Sequence, residues 1–157
     1  MAVAKPETNR RGLRFPAELL ESSTFLLKRL GFVAKERAVD AYAPAGLSPY
    51  HHAVLIALGE DSHETQGAIA DVLGYDRGQL VGLLDELEEQ GLVERRRDRE
   101  DRRRHIVSLT TEGRRALGGL RTLAGRLEDD LLAPLSDRER DQLHALLLKL
   151  GEHHLPH

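Results

Sequence analysis

Two polar side chains at the head of a short helical pattern define the chemistry open to this chain. Asp76 is followed by Arg77, Gly78 and Gln79. On the first turn of a helix, arginine and glutamine are the types that form paired hydrogen bonds with guanine and adenine edges in a major groove. A second group lies downstream, where the run from Arg96 to Arg104 holds more arginines than acids and is too polar to bury. A flexible basic tip can follow a phosphate backbone or place an arginine in a narrow minor groove. Taken alone, such a run is equally a solvated turn laced with Arg–Asp pairs. No comparable grouping serves catalysis. The chain lacks a nucleophile elbow, a phosphate-binding glycine loop and a dinucleotide fingerprint, and His63-Glu64 has no later histidine at zinc-protease spacing. The carboxylate pairs Asp85-Glu86 and Asp129-Asp130 sit at adjacent helix positions that diverge, so no catalytic residue is expected.

The elements that must hold these groups can be read from spacing. Thr65 is placed to cap a helix whose Ala68, Ile69, Val72 and Leu73 recur at helical intervals, and Gly74 suits its left-handed end. Asp76 opens the next helix with Gln79 at capping-box distance, and Leu80, Leu83, Leu84 and Leu87 form one apolar stripe until Gly91. Leu92 to Arg95 and Arg104 to Leu109 then read as two strands flanking the basic tip. This order is that of a winged helix-turn-helix over about 47–110, with a reading unit at 65–90 and a wing at 92–109.

The flanks are helical and rich in leucine. One long helix is expected from Pro16 to about Tyr42, weakened but not ended by Gly31, followed by a break at Ala43 to Gly46. Ser48 and Pro49 open a helix closed by Gly59, and Thr110 caps another that Pro134 stops. Ser136 and Glu139 form a capping box for a last helix, whose Leu143, Leu146, Leu147 and Leu150 make a stripe before Gly151. The expected fold is mainly α with a small β-hairpin wing: a flexible tail at 1–14, a single domain at 15–153, and dimerisation helices at about 16–42 and 111–152. A small winged helix does not need these extra stripes, so they are expected to meet a second copy. A two-fold dimer would present its reading helices about one DNA turn apart, on an inverted-repeat operator.

Composition narrows the classes. A chain of 157 residues, 40% hydrophobic and 31% charged, can bury a core, and a net charge of −3 means that any DNA affinity must come from local charge. With no cysteine, disulfides and thiolate zinc sites are excluded. Of eight histidines, His51-His52 and His153-His154 are adjacent and point apart, while His153 and His157 are interrupted by Pro156; neither a metal nor a cofactor is expected. No leader-like or membrane-length apolar run is seen, so a cytoplasmic location without membrane contact follows by default. Lys5, Arg10, Arg11 and Arg14 could touch DNA, but in a tail they read as solvated.

From Gly91 to Gly113 the string resembles the wing signature of the MarR family of transcriptional regulators, with Asp101-Arg102-Arg103 at the tip and Leu109-Thr110 before the glycine. Leu47-Ser48-Pro49 and Thr65-Gln66 also stand where that family places them. The resemblance implies a homodimer with reading helices in consecutive major grooves and wings in the minor groove. By position it assigns the wing arginine to Arg103 and its partner acid to Asp101; together with the helix reading, DNA contact is expected of Thr65 and Gln66, of Asp76, Arg77, Gly78 and Gln79, and of Arg99 and Arg102 in the wing. Within the wing, Asp101 would steady Arg103. It implies an effector pocket near the helix carrying Tyr50, His51 and His52, a small aromatic or phenolic effector, and a repressor relieved by it. One departure is Gly82, where members often carry a basic residue. The alternatives are a winged helix turned to protein interaction without specific DNA binding, a metal-responsive regulator, and an enzyme.

Overall fold

In the computed structural model, residues 13–60 and 64–155 are described, so Lys5, Arg10, Arg11, His63 and His157 lie outside the described residues. The chain divides into two compact units, one ending at Lys35 and the other beginning at Glu36.

The single long helix expected from Pro16 is interrupted. A short helix α1 (Ala17–Leu20) precedes α2 (Ser23–Tyr42). The cause is local: the Ser22 hydroxyl accepts the Phe25 N–H at 3.2 Å and starts a new helix. Phe15 and Phe25 meet edge to face at 5.3 Å, and the Arg29 guanidinium lies 5.4 Å from the Phe15 ring and 5.8 Å from that of Phe32. Gly31 sits inside α2, as expected.

The second unit contains α3 (Pro49–Glu60), β1 (Glu64–Thr65), α4 (Gln66–Leu73), α5 (Arg77–Glu89), β2 (Val93–Arg97), β3 (His105–Leu109), α6 (Thr111–Leu132) and α7 (Asp137–His154). Its core joins Val54, Leu55 and Leu58 of α3 to Ile69, to Leu80, Leu84 and Leu87, to Val93 and Val107, and to Leu117 and Leu120 of α6. Helix α3 thus forms the floor on which α4, α5 and the sheet are laid.

The wing is a three-stranded antiparallel sheet ordered β1-β3-β2, not a plain hairpin. Val93 pairs with Leu109 and Arg97 with His105, while the two-residue β1 pairs Thr65 with Ile106. That extra strand ties the opening of α4 to the wing. One glycine expected to end a helix lies inside it. A Cβ at Gly59 would lie 2.8 Å from Leu117 Cδ2, so this glycine admits α6 rather than stopping α3. Gly151 lies within α7, which continues to His154. No helix among the described residues is long and apolar enough to cross a membrane.

Candidate nucleic-acid interface

The reading helix is held by two caps and one apolar stripe. The Thr65 hydroxyl accepts the Ala68 N–H at 3.2 Å to start α4. Gly74, at φ 65°, adopts the left-handed conformation that releases the chain into the turn. The Asp76 carboxylate then accepts the Gln79 N–H at 2.8 Å and starts α5. Burial of Leu80, Leu84 and Leu87 fixes the rotation of that helix. Arg77, Gly78, Gln79, Val81 and Gly82 are left exposed.

This arrangement opens a cleft of about 600 Å³ between the start of α4, the first turns of α5 and the wing end of β3. Thr65, Gln66, Arg77, Val81, Arg103 and His105 line it. Four residues singled out by sequence therefore converge: Thr65, Gln66, Arg77 and Arg103. Gln79 stands about 200° around the helix from Arg77, because two residues at 3.6 per turn place them on different flanks, and it does not line the cleft. Asp76 is occupied by its cap, and Gly78 and Gly82 lie on the open face of α5.

At the wing tip, Asp101 organises the turn. Its Oδ1 accepts the Arg103 N–H at 3.1 Å and lies 3.2 Å from Arg103 Nε, while Oδ2 lies 3.6 Å from Arg104 Nε. Arg103 is thereby aimed while its side chain stays 91% exposed. Arg99 and Arg102 are also exposed, and neither forms an ion pair among the described residues.

Arg95, expected at the end of the first strand, ties that strand to the reading helix. It lies 2.6 Å from Glu88 and 2.5 Å from Asp85. The hydrogen bond from Arg95 holds the Glu88 carboxyl below the usual carboxylate range, and the same bond raises the guanidinium. The acids at 85 and 88, one turn apart on α5, were the available signal; the strand that meets them is set only by tertiary folding.

Tyr50, His51 and His52 point three ways. Tyr50 is exposed, with its ring 5.9 Å from that of Tyr75. His51 is buried; the Ser48 N–H donates to its Nδ1 at 3.0 Å, which leaves Nε2 to donate to Glu86 of α5 at 2.7 Å. His52 is buried with its Nδ1 2.7 Å from the Tyr42 hydroxyl and its Nε2 without a partner among the described residues. Burial, then the nearby Arg121, pushes the His52 imidazole below its ordinary range. Gln90 donates to the Gly46 carbonyl at 3.0 Å, a second link between α5 and the segment before α3. Among the described residues no group of three His, Asp or Glu side chains could hold a metal ion.

Residues 45–104 match the sequence model of the MarR family. A curated relative from Thauera aromatica, described as a transcriptional regulatory protein for the hcr operon, is 30% identical over 142 residues, covering 85% of this chain and 84% of the relative. Among solved structures, the transcriptional repressor CouR bound to a 23-mer DNA duplex superposes with a TM-score of 0.79 at 36% identity, covering 86% of this chain and 96% of that one. CouR from Rhodococcus jostii RHA1 bound to p-coumaroyl-CoA gives 0.72 at 31% identity, with 87% and 96% covered.

Proposed function

The chain belongs to the MarR family of winged helix-turn-helix transcriptional regulators, not to an enzyme family, and on that premise we propose a homodimeric repressor of an inverted-repeat operator, released by a small aromatic or phenolic effector. The observation carrying the DNA reading is the cleft in which the start of α4, Arg77 and Arg103 converge. The backbone N–H groups at the start of α4, around Thr65 and Gln66, suit a phosphate. In the major groove, Arg77 and Gln79 take guanine and adenine edges from the two flanks of the helix. Arg103, braced by Asp101, enters the minor groove, and Arg99 and Arg102 neutralise neighbouring phosphates. A second copy is supported by the exposed leucines of α7. An aromatic effector is supported by the ligand of the R. jostii repressor.

Release would run through the two links found at the back of α5. A ligand contacting Tyr50, His51 or His52 that shifted the start of α3 would act on the reading helix through His51–Glu86 and Gly46–Gln90. Coupling of about 1–3 kcal/mol would give roughly five- to 150-fold derepression.

A gel shift on the DNA upstream of the chain's own gene tests the reading. Affinity should fall on the order of a thousandfold between about 50 and 200 mM salt. Arg103→Ala should weaken every duplex alike and reduce the salt slope by about one. Substitutions at Tyr50 or His52 should alter release by aromatic acids or their CoA thioesters while leaving DNA binding intact. Indifference to every duplex would overturn the proposal and leave the protein-interaction module standing.

A further inference from the structure

Val81 has no role in the caps, the core or the wing, yet its place is well defined. It lies one helical turn beyond Arg77 and lines the same cleft as Arg77 and Arg103. The residue is 38% exposed, whereas Leu80 and Leu84 beside it on α5 are at 1% and 0%. A β-branched residue is a poor choice for an exposed helical position, since it loses side-chain freedom there without the compensation of burial. Its neighbours on the open side make it prominent. Gly78 and Gly82 carry no side chain, and a Cβ added at Gly82 would meet nothing within 4 Å. The valine is therefore within reach of a surface that approaches this glycine-bearing face of the helix.

Among base edges exposed in a major groove, the C5-methyl of thymine is the group that matches a projecting apolar side chain. We propose that Val81 reads a thymine methyl in each half-site, beside the base contacted by Arg77. The inference rests on the DNA-binding reading above and extends it to a base preference. Four residues along a helix span about 6 Å, and successive base pairs on one strand are about 3.4 Å apart. The thymine should thus fall within about two base pairs of the position fixed by Arg77.

The test uses the full-length chain and duplexes selected by it from a randomised pool. Each thymine of the selected duplex is replaced in turn by deoxyuridine, which removes only the methyl, and affinity is measured for the wild type and for Val81→Ala. The expected result is one thymine per half-site whose replacement weakens the wild type about three- to tenfold, with Val81→Ala binding the two duplexes equally. Wild-type binding unchanged by every replacement, or a Val81→Ala variant that keeps the wild-type thymine preference, would overturn the inference while leaving the DNA reading intact. A pool from which nothing is enriched would remove the DNA reading itself and this inference with it.

Discussion

Helices α5 and α7 are written in the same alphabet and end in opposite environments. Helix α5 buries Leu80, Leu84 and Leu87, with Leu84 at 0% exposure. Helix α7 buries none of its residues and leaves Leu146 at 62% and Leu150 at 48%. Leucines at three- and four-residue spacing therefore mark a face that must be covered, without saying by what. For α5 the cover is this chain's own α3, α4 and sheet. For α7 the described residues supply no such cover, and an exposed apolar patch of this kind is typical of an interaction site. The consequence is a division of labour. The reading unit is completed by its own packing, whereas the terminal helix would be completed by the proposed dimer.

The largest effect should come from breaking the association. A Leu146→Asp/Leu150→Asp double variant is expected to convert dimer to monomer by sedimentation. Affinity for a two-half-site duplex should then fall about 10²–10⁴-fold, because the second half-site no longer binds at a high effective concentration. A dimer that survived both charges would sink the assignment of α7. Next comes Leu84→Ala, which removes a fully buried side chain from α5 and should cost about 2–5 kcal/mol of unfolding free energy in urea. Its subunit mass in dilute buffer should not change. If the two variants behaved alike, the distinction between the regions would be wrong.

The same contrast explains how far the sequence could be read. Local signals held where a side chain answers to its own backbone: the caps at Thr65, Asp76 and Thr110, and the left-handed Gly74. They failed where the deciding partner is distant in sequence. Strand β1 is two residues long, too short for a periodic pattern, and exists because β3 lies beside it. Gly59 looked like a helix end and is the point where α6 comes close. Arg95 was read as the end of a strand, and its partners Asp85 and Glu88 lie on a helix that the strand meets only in the fold. The long first helix was broken by Ser22, whose hydroxyl cap the apolar period concealed. Arg77 and Arg103, which share a cleft, were both singled out, while Val81 beside them was not.

A smaller effect probes the interior with protons. Burial and Arg121 hold the His52 imidazole low, so the unfolded chain binds the proton first as pH falls. The contribution is complete above about pH 6.5 and is lost as pH drops toward the folded value. His52→Asn keeps a polar atom facing the Tyr42 hydroxyl and removes the titration. Urea midpoints at about pH 8 and pH 5.5 should therefore diverge more for the wild type than for the variant. Equal divergence would show that this histidine does not carry the acid sensitivity.

The smallest expected effect has two signs, and it separates what the fold requires of α5 from what its surface requires. At Gly113 a Cβ would lie 1.9 Å from the Leu92 carbonyl oxygen, so the packing of the reading unit demands glycine there. At Gly82 a Cβ would meet nothing within 4 Å, and the residue does not have a positive φ. Glycine in a helix interior is less favourable than alanine by about 0.5–1 kcal/mol. Gly82→Ala should therefore raise unfolding free energy by about that amount, visible as a higher urea midpoint with the dimer unchanged. If the open face of α5 enters a groove closely, the same methyl should weaken binding to the selected duplex by a few-fold. Gain of stability together with loss of affinity would show that the glycine is retained for the groove and not for the fold. Gain in both would mean that the helix rides higher over the DNA than its bare face allows.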